Sequence, residues 1–218
     1  MTAGDLNLTL HGYFRSSASF RVRIALNLKG LTYRTLAHHL RRDEQRAPGY
    51  LALNPQGLVP TLIAYGQAIG QSLAIIEFLE ETVPAPALLP PDPLGRARVR
   101  ALAQAVASDI HPLNNLRVLR YLREPLRQPE DAVRHWYQHW VAEGFAGVEQ
   151  LLAGGAAGRF CHGDLPTLAD VCLIPQVANA QNFECDLTAY PTIMRIFTSA
   201  MALEAFERAS PKHQPDAE

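Results

Sequence analysis

Ser16 and Ser17 stand where the apolar stretch LTLHGYF (Leu8–Phe14) gives way to helical spacing at Phe20, Ile24 and Leu28, with Ala25 between them and Gly30 to close the run. A helix start leaves backbone N–H groups unpaired and carries partial positive charge. A serine there either caps the helix and no more, or adds its hydroxyl to a small site for an anion. A thiolate is one such anion. A free thiol titrates near ~8.5, and lowering that by about two units takes only ~2.7 kcal/mol, an amount that one hydroxyl and a few N–H donors can supply. GQSLAIIEFLEE repeats the arrangement, with Gln71 and Ser72 ahead of an apolar helix, and Ser72 can cap it or donate to a bound carboxylate. Each start by itself reads first as a plain cap. Two of them in one small domain could hold a ligand that carries both a thiolate and a carboxylate.

A third element is Val59-Pro60, which follows the turn Asn54-Pro55-Gln56-Gly57. A proline inside an apparent strand points to an edge or a cis bond, either of which would leave the backbone of Val59 facing outward to pair with an extended peptide; a strand that merely begins at Pro60 fits as well. In the second half, Thr167 and Asp170 have capping-box spacing ahead of an apolar run, a structural helix start. Trp136, Tyr137 and Trp140 recur at helical spacing and read as packing residues. Pro112 falls inside a helical pattern and should kink it, which leaves the preceding His111 as either a ligand contact or a packed or solvated histidine.

The elements that must position these residues alternate in type over the first part of the chain. Strand signals at Leu8–Phe14, Tyr33–Ala37, VPTLIAYG and QAIG are interleaved with helical ones at Ser17–Leu28, at a short piece ending in ALNP, and at SLAIIEFLEETV. FRVRI also alternates with period two, but the continuation ALNLKG and the serines in front favour helix. PAPALLPPDPLG (Pro84–Gly95) is a linker by composition. Beyond it nothing reads as a strand: one long helical pattern spans Arg96–Arg123, a second runs from about Pro129 to Leu152, and shorter helices begin near Leu168, Pro191 and Met201. The polar end SPKHQPDAE reads as frayed. The expected division is an α/β domain over residues 1–85, a proline-rich linker over 86–95 and an all-helical domain over 96–218.

Composition is that of an ordinary globular chain, 48% hydrophobic and 19% charged over 218 residues, with a formal net charge of −1 that draws it to neither nucleic acid nor anionic membrane. Three cysteines without CxxC or Cys/His spacing argue against a disulfide framework or a zinc site, and the eight histidines form no HExxH pattern, so no metal is expected. No basic region followed by a long apolar core opens the sequence and no apolar run reaches membrane-spanning length, so a soluble, cytoplasmic protein is expected.

RSSASFRVRIALNLKG, NPQGLVPTL, QSLAIIEFLEE and GDLPTLAD, in that order, resemble the zeta class of the glutathione transferase superfamily over nearly the whole chain. That class contains maleylacetoacetate isomerase and bacterial maleylpyruvate isomerase, and DIHPLNNLRVLRYLR looks most like the latter. The resemblance implies a thioredoxin-like N-terminal domain followed by an all-helical glutathione-transferase C-terminal domain, glutathione as cofactor, and a homodimer acting on a small acidic substrate. By motif position it implies that Ser16 stabilises the glutathione thiolate with Ser17 beside it, that the backbone of Val59 before a cis Pro60 pairs with the cysteinyl part, and that Gln71 and Ser72 hold the γ-glutamyl end. Arg15 and Arg117 resemble arginines that meet the acidic substrate, and by the same resemblance His111 is placed to reach glutathione bound in a partner subunit. Two positions depart from the pattern: Ala18 stands where the class usually has cysteine, and Asn182 where it commonly has an arginine for a substrate carboxylate. Loss of that charge-assisted partner should weaken a dicarboxylate by about 1.5–3 kcal/mol.

The implied reaction is cis–trans isomerisation of a maleyl keto acid, in which a glutathione thiolate adds to the activated double bond, the resulting single bond rotates, and the thiolate leaves again. Conjugation of glutathione to small electrophiles such as α-haloacids is the alternative that Asn182 favours. A non-catalytic binding domain is a third possibility, against which Ser16, Gln71 and Ser72 speak.

Overall fold

The structure is a computed structural model that describes residues 7–218; Met1–Leu6, part of the stretch read for a targeting signal, lies outside the described residues. The alternating LTLHG forms β1 (Leu8–Gly12), and the helical spacing that follows forms α1 (Ser17–Leu28), so the competing strand over FRVRI does not occur. β2 (Tyr33–Ala37), the short α2 (Pro48–Leu51), β3 (Thr61–Ala64), β4 (Gln67–Gly70) and α3 (Ser72–Thr82) complete the α/β part. The strands make a mixed sheet in the order β2-β1-β3-β4, with β1 and β2 parallel and the two remaining pairs antiparallel. Leu10 and Leu62 from the sheet, Val22, Ile24 and Leu26 from α1, and Ile75, Ile76 and Leu79 from α3 are buried in its core. This is the thioredoxin-like arrangement expected of the first domain.

The register decides where the site must lie. Thr61 pairs with His11 on one side and with Gly70 on the other, and Gly12 pairs with Ala37. One end of the sheet therefore carries the exit of β1 toward α1, the approach to β3, and the exit of β4 into α3. Pro60 sits immediately outside this ladder, and β3 is an inner strand, so the proline marks no edge; the Val59-Pro60 bond is cis.

The helical part consists of α4 (Pro93–Gln104), α5 (Leu116–Arg123), α6 (Glu130–Ala153), α7 (Leu168–Asn182) and α8 (Pro191–Met201), with a short α9 (Glu204–Glu207) after it. α4 begins inside the proline-rich stretch, because Pro93 occupies the first helical position, where no N–H is required, and Asp92 caps it by accepting from Gly95 N–H at 2.7 Å. The single long helix expected over Arg96–Arg123 is broken. After α4 the chain makes a π-helical turn, Ala105–Ile110, closed by His111 N–H to Val106 O at 2.9 Å, then runs non-helically past Pro112 until Asn115 caps α5. Gly144 of α6 lies against Ile110 so closely that a Cβ would overlap it. At the start of α7, Asp170 accepts from Thr167 N–H, Thr167 Oγ1 and Cys161 N–H, each at 2.8 Å, as the capping-box spacing requires.

By contact the chain divides into two units. One extends to Leu88 and is rejoined by Met201–Glu218; the other is Leu89–Ala200. The C-terminal segment is thus not frayed. Arg23 donates from Nε to Ala209 O at 2.8 Å, Asn27 donates to Ala205 O at 3.0 Å, and Asp216 accepts from Phe14 N–H at 2.9 Å. Among the described residues no helix is long and apolar enough to cross a membrane.

Candidate functional site

Ser16 is the N-cap of α1. Its extended backbone turns the chain into the helix, and its Oγ accepts from Ser19 N–H at 3.1 Å. That bond uses an acceptor lone pair, so the hydroxyl hydrogen is left to donate away from the helix. Ser17 is buried at the first helical position, Ala18 is half-buried, and Arg15 is exposed at the turn before them. Local sequence allowed Ser16 to be a cap or an anion donor, and the geometry permits both at once.

The approach to β3 is held from below. Tyr50 donates from its hydroxyl to Leu58 O at 2.6 Å and bonds Thr61 Oγ1 at 2.9 Å; Asn54 Nδ2 donates to the same two oxygens at 2.9 and 3.1 Å. Burial pushes the Tyr50 phenol above its ordinary range, which keeps it a donor. Gly57 closes this turn with a φ of +60° while packed against Gln45 O, a place where a side chain would be strained and crowded. Val59 follows, half-buried, and no described residue pairs with its backbone N–H or C=O. An extended ligand can make both bonds there, as a strand would.

At the start of α3, Gln71 has a φ of +65°, a left-handed conformation that is costly for a side-chain residue and recurs at ligand sites. Its Nε2 donates to Gln56 Oε1 at 2.8 Å. Ser72 is the first residue of the helix and not its cap, a position that falls to Gln71 with no side-chain capping bond; Ser72 is buried, and its Oγ accepts from Arg21 Nη1 at 3.3 Å. Arg21, 2% exposed, thereby carries positive charge from within α1 to the foot of α3 and leaves the Ser72 hydrogen to donate to a ligand. The unpaired N–H groups of the first turn of α3 complete a seat suited to a carboxylate.

Ser16, Ser17, Val59, Pro60, Gln71 and Ser72 thus emerge from one end of the sheet, with Arg15 beside them. Arg117 and His111 belong to the other unit. Arg117 is exposed in the first turn of α5, and His111 follows the π-helical turn with Nε2 at 3.4 Å from Asn115 Nδ2. Arg21 and Tyr50 were not singled out from the sequence, and Asn54 only as the first residue of a turn. The one signal for Arg21 was a pair of charged residues, Arg21 and Arg23, inside the otherwise apolar helical run FRVRIAL, where an uncompensated charge cannot stay buried.

No cysteine of the chain offers a ready thiolate. Cys161 and Cys172 are buried, and burial, with Asp170 nearby, pushes the Cys161 thiol well up. Cys185 is half-buried and raised by burial to about 11.

Residues 15–82 match the glutathione S-transferase N-terminal domain family. The chain is 48% identical over 214 residues to the probable maleylacetoacetate isomerase of Vibrio cholerae, which spans 97% of this chain and 99% of that protein. It superposes with a TM-score of 0.95 on a holo structure of maleylpyruvate isomerase, a bacterial glutathione S-transferase of the zeta class, at 50% identity over 96% of this chain and all of the other. A structure of maleylacetoacetate isomerase from Anaeromyxobacter dehalogenans with glutathione bound in the active site is also similar, with a TM-score of 0.89 and 46% identity over 98% of this chain and 99% of that one.

Proposed function

The chain belongs to the zeta-class glutathione transferases, the family of the maleylacetoacetate and maleylpyruvate isomerases, and on that premise we propose that it is a glutathione-dependent cis–trans isomerase of a maleyl keto acid. The observation that carries this is the convergence, at one end of the sheet, of two helix starts, each with a serine whose Oγ already accepts a bond and so has its hydrogen left to donate, and a strand-like backbone at Val59 that no described residue pairs. Those are the three things that a γ-glutamyl carboxylate, a peptide unit and a thiolate require.

When bound, glutathione supplies the nucleophilic thiol that the chain's own cysteines do not. Ser16 donates to its sulfur, aided by the partial positive charge of α1, and so holds the thiol ionised near neutral pH. Ser17, buried beside it, fixes the first helical turn. Val59 pairs with the cysteinyl peptide unit, positioned by Pro60 and by the Tyr50 and Asn54 bonds to Leu58 O. Gln71 and Ser72, with Arg21 behind Ser72, take the γ-glutamyl end. Arg15 and Arg117 orient the substrate carboxylates and stabilise charge that develops on the substrate's keto oxygen. His111 reaches glutathione of a second subunit. The working form is a homodimer, an expectation that rests on the family and is tested by sedimentation, and its expected cytoplasmic location is tested by cell fractionation.

One observation favours a second reading. Asn182 is exposed at the last position of α7, where an arginine would serve a dicarboxylate. The alternative is conjugation of glutathione to small electrophiles such as α-haloacids.

Absorbance of maleylpyruvate and of maleylacetoacetate, followed with enzyme in the presence and absence of catalytic glutathione, separates the two. Conversion that needs glutathione, consumes none of it and collapses in Ser16→Ala supports the isomerase and identifies the preferred acid. Failure to convert either acid, with stoichiometric loss of glutathione to a haloacid, replaces it by the transferase.

A further inference from the structure

The turn that presents Arg15 and Ser16 is held by two charged groups that the proposed chemistry leaves unused. Tyr13 O accepts from Ser16 N–H at 3.0 Å, so residues 13–16 form a hydrogen-bonded turn with Arg15 at its tip. Arg23, 2% exposed on α1, donates from Nη1 to Tyr13 O at 3.4 Å and from Nη2 to Phe14 O at 3.0 Å. Its Nε bonds Ala209 O at 2.8 Å, which ties the C-terminal segment to the same guanidinium. On the other side of the Phe14 residue, the N–H donates to Asp216 Oδ2 at 2.9 Å, and no other described residue accepts from it. Burial lowers Arg23 to about 10, and Tyr33 and then Asp216 act against it to favour the charged form. The segment is held in turn by Gln214 Nε2, which donates to Arg208 O and Ser210 O at 2.9 Å each.

Building on the glutathione-site reading of Ser16, we infer that Asp216 is a positioning residue of that site: together with Arg23 it clamps the Tyr13–Ser16 turn and thereby aims Ser16 and Arg15. Phe14 is buried, so its N–H needs this acceptor, and the carboxylate comes from a segment more than 200 residues away in sequence. A clamp on the peptide two residues before Ser16 constrains the direction of its hydroxyl, and a misdirected hydroxyl stabilises a thiolate less.

Charge and position predict opposite signs, which makes the inference testable. Asp216 is an anion near a site for an anion, so removing its charge alone would lower the thiol pKa of bound glutathione. Removing its hydrogen bond would raise it. Asp216→Asn keeps an oxygen for Phe14 N–H and loses the charge; Asp216→Ala loses both. The ultraviolet absorbance of the bound thiolate is titrated in the full-length protein for wild type, both variants and Gln214→Ala, with thermal unfolding to confirm that each is folded. The expected result is a thiol pKa raised by about one unit in Asp216→Ala, with kcat falling more than KM rises. In Asp216→Asn it should stay at or below the wild-type value, and in Gln214→Ala, which loosens the segment but keeps the acceptor for Phe14 N–H, it should rise by clearly less than in Asp216→Ala. A thiol pKa in folded Asp216→Ala equal to or below that of wild type overturns the inference while leaving the glutathione site intact. So does an equal rise in Gln214→Ala, which would mean general loosening of the segment. Absence of any thiolate signal in wild type overturns the site itself, and the inference with it.

Discussion

The proposed function gives Ser16 two roles that one substitution set can separate. As N-cap it accepts from Ser19 N–H, and its loss in Ser16→Ala should cost about 0.5–2 kcal/mol of stability, or a few degrees in Tm at about 2–4 °C per kcal/mol for a chain of this size. As the proposed thiolate donor it would make a hydrogen bond to a charged partner, worth about 1.5–3 kcal/mol, so Ser16→Ala should also lower kcat/KM roughly 10- to 150-fold. Ser16→Asp breaks the parallel. Aspartate caps as well as serine, and its charge at a helix start adds about 0.3–1 kcal/mol, so the variant should melt at or above the wild-type temperature. Against a thiolate about 4 Å away, the same carboxylate costs between about 1 kcal/mol in a water-like medium and about 4 kcal/mol in a surface-like one. Ser16 is half-buried, which places the site between those limits. Activity should therefore fall in the order wild type, Ser16→Ala, Ser16→Asp, while stability runs Ser16→Asp, wild type, Ser16→Ala. The assay is glutathione-dependent isomerisation read beside thermal unfolding of the same preparations. A stable Ser16→Asp enzyme at least as active as Ser16→Ala would show that no anion faces this serine, and the residue would revert to a plain cap.

Three further outcomes follow from the packing around this end of the sheet. Arg21→Met removes the donor to Ser72 Oγ and should raise KM for glutathione about tenfold at nearly unchanged kcat; a change confined to kcat would place Arg21 elsewhere in the mechanism. His11 Nδ1 and His38 Nε2 lie 2.9 Å apart, and both rings are held below their ordinary value, chiefly by burial, with His38 and Arg34 adding to the effect at His11 and Glu44 opposing it at His38. The folded chain then binds fewer protons than the unfolded one, so this contribution to stability is complete above about pH 6.5 and is lost as the pH falls through the lowered folded values. Melting temperature measured against pH should decline over that window and flatten in a His11→Asn, His38→Asn double variant; an equally steep decline there would contradict the assignment. Lys29 Nζ has no exposed side-chain surface and donates to Glu80 at 2.8 Å, Val83 O at 2.6 Å and Pro86 O at 3.0 Å, so Lys29→Met should lower unfolding free energy by about 3–5 kcal/mol in denaturant titration. Added Glu80→Leu should return part of that loss, and a single variant as stable as wild type would refute the pairing.

How much of this was legible in the sequence depends on what each residue bonds to. α1 and α3 were readable because their apolar spacing and their serine starts are both side-chain signals, and β2 because its run is bounded on each side. The break between α4 and α5 was not. Periodicity holds on both sides of it, and a π-helical turn inserts one extra residue without any composition of its own, so Pro112 announced a kink where the chain leaves the helix altogether. The polar C-terminal segment read as frayed for a related reason. Arg23 holds it through Ala209 O, and Asp216 meets Phe14 through its N–H; a backbone atom is the same at every residue and leaves no mark on the sequence. Tyr50 and Asn54, which fix the approach to Val59 through Leu58 O, were hidden in the same way. Helix starts declare themselves locally, whereas the groups that aim them act on main-chain atoms or across long separations, such as the 51 residues between Arg21 and Ser72. The step from two helix starts to one candidate site therefore rested on a fact that no local pattern contains: the register in which Thr61 lies between His11 and Gly70, bringing both helix starts and Val59 to the same end of the sheet.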